Sequence, residues 1–164
     1  MSKRKEGCFR EGTLSENRFA TYLENRGIDY ETVVGTTADT KGKVDFIVKG
    51  KTVNVKAPTM SGPRGLCTEW RAVDGSVGWI HKVDYIVKFI DDKTFAKIPV
   101  SKLKAHVLTT RGTPPDRCPQ TGASRSRGGW YARADWDGKI RSGEACIMIP
   151  SSEILPFSVI ATIS

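Results

Sequence analysis

The sequence predicts one α+β or mixed α/β domain, with a central mixed β-sheet flanked by helices. One helix-like segment near the N-terminus is followed by several segments rich in β-branched residues, and short turns join neighbouring strands. The chain has 164 residues, which is long enough for one domain with a substantial core. We therefore expect a single sheet-based domain over residues 1–164.

The first predicted element is a helix over Leu14–Arg26, preceded by a loose basic arm over residues 1–12. Thr13 and Glu16 stand three residues apart, which is the capping-box spacing at a helix start. Gly27 follows at the position where a left-handed residue commonly ends a helix. Apolar side chains recur between them at helical spacing, at Leu14, Phe19, Tyr22 and Leu23.

Strands are predicted to follow the helix. Residues Tyr30–Thr36 alternate and are rich in β-branched side chains, and a polar loop leads from them into a hairpin over residues 44–56. The segment 59–78 contains several glycines and a proline and is predicted to be mostly loop. Two further strands, Val83–Ile90 and Thr94–Ile98, are joined by a short polar turn.

The C-terminal part is predicted to hold a short helix, a long loop and two strands. Ser101 can cap a helix that runs to about Leu108. Residues 109–129 are rich in Pro, Gly, Ser and Arg, and a loop of this length is usually functional or disordered. Strands are predicted at Trp130–Trp136 and Ala145–Ile149. The domain thus divides into an arm, a core, a basic loop and a C-terminal part, over residues 1–12, 12–108, 109–129 and 130–164.

The chain is basic, with a formal net charge of +8, and most of the excess lies in one segment. Between Lys102 and Arg133 seven basic residues face one acid, Asp116, which gives +6. Concentrated positive charge favours a polyanionic partner, most often a nucleic acid, although a solvated basic surface would have the same composition. Trp130 adds a ring that could stack on a base. The candidate DNA-binding residues are Lys102, Lys104, Arg111, Arg117, Arg125, Arg127, Arg133 and Trp130.

The sequence also indicates a cytoplasmic protein with no membrane partner. No apolar run approaches the ~20 residues that span a bilayer, and residues 1–7 lack the apolar centre of a signal peptide. The four cysteines are widely spaced and form no CxxC pair. We therefore expect reduced thiols and no structural zinc site.

Three polar residues of the predicted hairpin fall on one patch. With Lys-Gly at 49–50 as the turn, Asp45 lies directly opposite Asn54, with Cβ atoms roughly 5 Å apart, and Lys56 lies diagonal to Asp45 at about 7–8 Å. The alternation of a strand turns Asn54 and Lys56 to one face and their valine neighbours to the other. An exposed ion pair between Asp45 and Lys56 is the structural alternative to a functional role.

This combination of side chains suits metal-dependent cleavage of a phosphodiester. A divalent cation activates water and screens the charge of the transition state, and Mg²⁺ or Mn²⁺ prefers hard oxygen ligands. Asp45 supplies a carboxylate, and the carbonyl of Val55 can supply a further oxygen. Lys56 is placed to orient the water or to stabilise developing negative charge.

Asp45, followed on the next strand by Asn54-x-Lys56, resembles the signature of the PD-(D/E)XK nuclease superfamily. The helix that carries Glu16 is similar to the first helix of that family, whose glutamate often completes the metal site. The resemblance covers about residues 12–108 and implies a restriction-endonuclease-like core. The implied catalytic residues are Glu16, Asp45, Asn54 and Lys56, and the implied metal ligands are Glu16, Asp45, Asn54 and Val55.

The resemblance implies an Mg²⁺-dependent DNA endonuclease of the homing or Holliday-junction-resolving type, in some cases encoded by a phage or an intron. Cutting both strands of a duplex needs two active sites, so a homodimer or a higher homo-oligomer is expected. Two alternatives stay open. One is a nuclease fold that binds DNA without cutting it, and the other is an RNA-binding protein, which the basic and aromatic segment supports.

Asn54 departs from the family pattern, which usually has Asp or Glu at this position. An amide oxygen can ligate Mg²⁺ but brings no charge, so metal affinity should fall unless Glu16 compensates. Three explanations are open: a natural amide variant, a substitution that inactivates the site, or a fold kept for binding alone. Glu16 also has a structural alternative, as a capping-box residue at the start of its helix.

Overall fold

The structure is an α+β fold with a six-stranded mixed sheet and a separate two-stranded sheet. It is a computed structural model that describes residues 3–33, 44–58, 65–119, 128–134, 137–141 and 143–163, with side chains from Leu14 onward. The strands are β1 (Tyr30–Thr32), β2 (Phe46–Val48), β3 (Lys51–Lys56), β4 (Gly65–Arg71), β5 (Tyr85–Phe89), β6 (Thr94–Pro99), β7 (Ala145–Pro150) and β8 (Val159–Thr162). The helices are α1 (Lys3–Asn25), α2 (Val100–Arg111) and α3 (Ser151–Ile154), with 3₁₀ turns at Trp79–His81 and Leu155–Phe157.

The large sheet has the order β1-β2-β3-β5-β6-β8. Its central pair, β3 and β5, is parallel, and the other neighbours are antiparallel. A parallel pair needs a long connection, and here that connection contains β4, which leaves the sheet and pairs antiparallel with β7. The predicted α+β class with a central mixed sheet is therefore confirmed.

Both faces of the large sheet are covered by apolar packing. On one face, α1 packs Phe19 and Leu23 against Val53 and Val55 of β3. The other face meets α2 and the small sheet, and Ile86 of β5 lies within that second core. Because strand residues alternate in direction, the even-numbered residues of β3 point away from α1 and toward the second core.

The β2–β3 hairpin is closed by the predicted Lys-Gly turn. Lys49 and Gly50 both have positive φ, 51° and 78°, which is the type I′ geometry that suits a two-residue hairpin. The ladder keeps the predicted register as far as Phe46↔Val53. The Lys-Gly turn and this register are confirmed.

The ladder does not extend to the predicted Asp45–Asn54 pair. The Asp45 amide donates to the carbonyl of Val53 at 2.9 Å, and Val53 already pairs with Phe46. Two consecutive residues therefore share one partner, as in a β-bulge, and the bulged strand bends there. The Asp45 side chain consequently points along β3 and does not lie directly across from Asn54.

α1 is longer than predicted, since it begins at Lys3 rather than near Leu14. The segment 3–12 is rich in Lys, Arg and Glu, which are good helix formers, and it continues the helix instead of forming a loose arm. Thr13 and Glu16 consequently lie inside the helix. They cannot form a capping box, which exists only at a helix start.

The end of α1 is close to the prediction. Gly27 has a φ of 66°, its amide donates to the Glu24 carbonyl at 3.1 Å, and the Ile28 amide donates to the Leu23 carbonyl at 2.9 Å. These two bonds are the Schellman pattern, which satisfies carbonyls that the last helical turn leaves open. The stop at Gly27 is confirmed.

α2 begins two residues earlier than a Ser101 cap implies and ends three residues later than predicted, at Val100 and Arg111. Ser101 is therefore the second helical residue and not the cap. Pro99 precedes the helix with a φ of −67°, which proline holds without strain at a helix start.

Two strands of the structure are not predicted by the sequence pattern. β4 lies within the segment 59–78, where a loop was predicted. Gly65 is its first residue, and no glycine or proline follows within the strand, so nothing in its interior breaks it. β8 lies beyond the last predicted strand, Ala145–Ile149, and pairs with β6 at the sheet edge.

The strand predicted at Trp130–Trp136 does not form as a continuous element in the described part of this segment. Tyr131 and Ala134 make only isolated bridges, to Cys146 and Ile140. The prediction of a regular strand over 130–134 is therefore wrong.

No helix among the described residues is long and apolar enough to cross a bilayer. Cys67, Cys118 and Cys146 are free thiols, and the last two are buried.

Candidate functional site

Asp45 is held at the far end of β3 from the hairpin turn. Its side chain is buried, and its Oδ2 accepts a hydrogen bond of 2.7 Å from the amide of Val55. The bulge makes this contact possible, because it places the carboxylate where a strand carbonyl would otherwise meet that amide. Asp45 therefore has a fixed position beside the residues of the predicted motif.

Asn54 and Lys56 occupy the face of β3 that points away from α1. Asn54 is buried, with 3% of its surface exposed, and Lys56 is half-buried. The Lys56 ammonium lies 4.6 Å from the centroid of the Trp79 ring, close enough for a cation–π interaction. This contact holds the Lys56 ammonium at the end of β3 that the Asp45 carboxylate also contacts.

Lys88 is a fourth polar residue of this region, and the sequence pattern does not assign it a role. It pairs with Lys56 across the parallel β3–β5 ladder and is buried, with 7% of its surface exposed. Its Nζ donates to the carbonyls of Ala57 and Pro58 at 2.9 and 3.0 Å. Burial, and then the nearby charge of Lys56, lower the pKa of Lys88 to about 8. The sequence signal that could have identified Lys88 is its position, since it is a lysine inside the apolar run of β5.

Glu16 lies on the helix that covers the opposite face of β3 from Asn54 and Lys56. Its side chain is half-buried, one turn before Phe19, which packs against Phe46 with ring centroids 5.1 Å apart. The later part of α1 lies by the hairpin turn, since Glu24 lines the same surface depression as the turn residues. Glu16 therefore lies toward the end of β3 that carries Asp45.

In chemical type, the predicted ligands suit Mg²⁺ or Mn²⁺. Asp45 and Glu16 carry carboxylates, and Asn54 and Val55 offer an amide and a carbonyl oxygen, all of which are hard donors. Within the described residues, no three His, Cys, Asp or Glu side chains are grouped closely enough to hold a metal ion. The Asn54 amide would therefore have to act as a ligand, which leaves the site with less negative charge than three carboxylates would give.

Asp84 fastens the start of β5 to β3. Its Oδ2 accepts hydrogen bonds from the amide and the hydroxyl of Thr52, at 2.9 and 3.1 Å. The Asp84 amide donates in return to the Thr52 carbonyl and hydroxyl, both at 3.0 Å. These contacts explain an acid beside an apolar strand as a structural tie at the opposite end of β3 from Lys56.

Two of the candidate DNA-binding arginines make extensive contacts within the protein. Arg111 binds both oxygens of Glu153 at 2.9 Å, and its Nε donates to the Gly128 carbonyl at 2.6 Å. Arg133 binds both oxygens of the fully buried Glu144, through its Nε at 2.9 Å and its Nη2 at 2.8 Å. Both side chains therefore have structural roles in the folded protein.

The remaining candidates of the basic segment differ in their exposure. Trp130 is buried and packs edge-to-face on Trp70, with ring centroids 5.3 Å apart, so its ring serves the core. Lys102 and Arg117 are exposed, and Lys104 is half-buried. Arg125 and Arg127 lie outside the described residues.

The Glu153 carboxylate should make stability depend on acid. Hydrogen bonds from Arg111 and His106 lower the pKa of Glu153 from 4.5 to about 2. A group whose pKa is lower in the folded state stabilises it above the unfolded pKa, and this contribution is lost as the pH falls through the folded pKa. We expect the free energy of unfolding to fall between about pH 4.5 and pH 2, and to fall less in Glu153→Gln.

Urea unfolding, followed by circular dichroism at several pH values, measures this dependence. Arg111→Met removes the same ion pair from the other side and should flatten the curve in the same pH window. If wild type and Glu153→Gln lose stability in parallel below pH 4.5, the Arg111–Glu153 pair does not cause the dependence.

No protein-family model, curated protein or solved structure matches this chain.

Proposed function

We propose that the chain is a metal-dependent endonuclease of the PD-(D/E)XK type that hydrolyses phosphodiester bonds in DNA. The observation that carries the proposal is the fixed Asp45 carboxylate, bonded to the Val55 amide at 2.7 Å, beside Asn54 and Lys56 on the next strand. An acid, an amide and a lysine at one strand end are the groups that such a reaction uses.

Each residue has a separate task in this proposal. Asp45 and Asn54 would hold Mg²⁺ or Mn²⁺, which supplies an activated water and screens negative charge. Glu16, whose helix covers the opposite face of β3, would add a ligand only from the end of that strand. The ammonium of Lys56, held over Trp79, would stabilise the charge that develops on the phosphate oxygens. Residues of the basic segment that are exposed, such as Lys102 and Arg117, would contact the DNA backbone.

A homodimer acting on intracellular DNA belongs to the same proposal, because two strands of a duplex require two sites. Sedimentation of the protein with and without a duplex oligonucleotide measures its oligomeric state. A protein that cuts both strands while remaining monomeric on DNA would contradict the dimer.

A nuclease fold that only binds DNA is the second candidate, and the buried amide of Asn54 favours it. We expect Asn54→Asp to lower the metal concentration that gives half-maximal cleavage by on the order of tenfold, because a carboxylate adds charge to the site. The measurement uses plasmid, linear duplex, four-way junction DNA and single-stranded RNA, in Mg²⁺, Mn²⁺ or EDTA.

The outcomes of this assay separate the candidates. Metal-dependent cutting by the wild type supports the enzyme, and the preferred substrate identifies its class. If the wild type does not cleave any substrate and the Asn54→Asp variant does, the natural site is disabled. Tight, salt-dependent DNA binding without cutting by either protein indicates a binding module, and cleavage of RNA alone contradicts a DNA endonuclease.

A further inference from the structure

β8 forms one outer edge of the large sheet and carries exposed apolar side chains on both of its faces. It is last in the strand order, and no strand of the described residues pairs with its other side. Val159 and Ile160 point to opposite faces of the sheet, and they are 63% and 50% exposed. Proteins that avoid pairing at a sheet edge place charges or proline there, and β8 has neither.

The two edges of the large sheet differ in charge. Residues 158–163 include no charged side chain, although the chain has a net charge of +8. The opposite edge, β1, carries Glu31 at its centre and follows Asp29. Like charges in directly opposite positions destabilise a sheet, so two copies of β1 would oppose their glutamates, whereas two copies of β8 meet no such repulsion. β8 is therefore the sheet edge at which two copies of this basic chain can meet.

The hydrogen bonds between β6 and β8 determine which backbone groups of β8 are directed outward. The ladder continues to Lys93 and Ile163, where the Ile163 amide donates to the Lys93 carbonyl at 2.7 Å. Hydrogen-bonded and non-hydrogen-bonded pairs alternate along an antiparallel ladder, which makes Ile160 and Thr162 members of non-hydrogen-bonded pairs with β6. The amides and carbonyls of Ile160 and Thr162 therefore point away from β6, toward the open edge.

These outward groups are self-complementary about Ala161. When two copies of β8 pair antiparallel with Ile160 of one opposite Thr162 of the other, the two-fold axis passes between the two Ala161 residues and four backbone hydrogen bonds form. Ala161 then faces its own copy in a non-hydrogen-bonded pair, where the Cα atoms approach to about 4.5 Å, and its small side chain suits that distance. Val159 lies opposite Ile163 of the other copy, so apolar side chains meet on that face.

We infer that the edge of β8 binds a second copy of this chain, so that the two large sheets continue as one across a two-fold axis. The partner is an identical chain, and the groups that recognise it are backbone amides and carbonyls surrounded by apolar side chains. The proposed function needs two copies but does not say which surface joins them, so this interface goes beyond it. The interface depends on the backbone of β8 and on no catalytic residue.

Cysteine cross-linking under mild oxidation, followed on a non-reducing gel, tests the register. Ala161→Cys should form a disulfide-linked dimer, because its Cα atoms lie within the range of about 4.4–6.8 Å that a disulfide requires. Val159→Cys is the matched control, since its two thiols would be offset by about 14 Å along the strands, although Val159 is more exposed than Ala161. The wild type gives the background from the native cysteines. Equal cross-linking of the two variants would indicate random collision and overturn the interface.

Sedimentation equilibrium over a range of protein concentrations, without DNA, tests the interface itself. We expect the wild type to dimerise. Thr162→Pro should raise the dissociation constant of the dimer by on the order of tenfold or more, because the pair of copies loses two backbone hydrogen bonds. The Thr162 amide points outward, so this proline removes no hydrogen bond within the chain. Thr162→Val keeps the amide and should dimerise like the wild type, and circular dichroism checks that both variants are folded.

The outcomes separate failure of this interface from failure of the nuclease proposal. A wild type that is monomeric at every concentration overturns the interface and leaves the edge of β8 to a different protein strand. A dimer that persists in Thr162→Pro and does not cross-link through Ala161→Cys also overturns it, and the nuclease then joins its two copies through another surface. A dimer that behaves as expected in both tests, but cuts no DNA, supports the interface and overturns the proposed function. If Thr162→Pro does not fold, the difference in cross-linking between Ala161→Cys and Val159→Cys decides.

Discussion

Under the proposed function, replacing Lys56 with alanine is expected to slow metal-dependent DNA cleavage by about 10²- to 10³-fold, the usual effect of removing one group that stabilises transition-state charge. The side chain is half-buried, and its contact with Trp79 is worth only about 0.5–2 kcal/mol, so the variant should remain folded. The loss should appear in the rate at saturating DNA rather than in DNA affinity, because the charge develops during the reaction.

Single-turnover cleavage at saturating metal measures this rate. Lys51→Ala is the matched control, since Lys51 lies on the same strand but at the exposed hairpin end, and it should cut at the wild-type rate. Circular dichroism checks that both variants are folded. Cleavage by Lys56→Ala at the wild-type rate would remove Lys56 from the catalytic site.

Replacing Glu144 with alanine is expected to lower the free energy of unfolding by about 3 kcal/mol, at the low end of the range for breaking a buried ion pair. The Glu144 side chain is fully buried and accepts hydrogen bonds from the Arg133 amide and guanidinium. Burial alone would raise the pKa of Glu144, but the hydrogen bonds from Arg133 outweigh it and the pKa is lowered. The low end applies because Arg133 is half exposed and can be hydrated once its partner is gone.

Urea unfolding at neutral pH measures the effect of Glu144→Ala. Glu31→Ala, at an exposed position of β1, is the control and should change the free energy of unfolding by less than about 0.5 kcal/mol. A Glu144→Ala variant as stable as this control would mean that the buried ion pair contributes nothing to the fold.

Local turn chemistry made much of the fold predictable. Gly50 and Gly27 have positive φ angles that glycine adopts without strain, so the hairpin turn and the end of α1 follow from the sequence. β4 and β8 do not, because each pairs with a strand far away in sequence or at a sheet edge. Pairing of that kind depends on tertiary context rather than on local pattern.

The candidate site was only partly predictable for a related reason. The motif residues Asp45, Asn54 and Lys56 stand close in sequence, and hairpin geometry brings them together. The bulge at Asp45 has no local sequence signature, and Lys88 reaches the site only through the parallel β3–β5 pairing. For Arg111 the sequence predicted too much. Its charge suggested DNA contact, whereas its ion pair with Glu153 depends on the fold and could not be predicted from the sequence.

The pairing of β4 with β7 has a consequence for how the chain folds. Gly65 pairs with Pro150 and Arg71 with Ala145, so the small sheet joins segments from the first and last halves of the chain. During synthesis, β4 is made long before β7, the strand with which it pairs. Contacts of such long sequence separation slow folding, and an unpaired strand exposed meanwhile can pair with other chains. We therefore expect refolding to be slow and concentration-sensitive, with the small sheet as the last part to form.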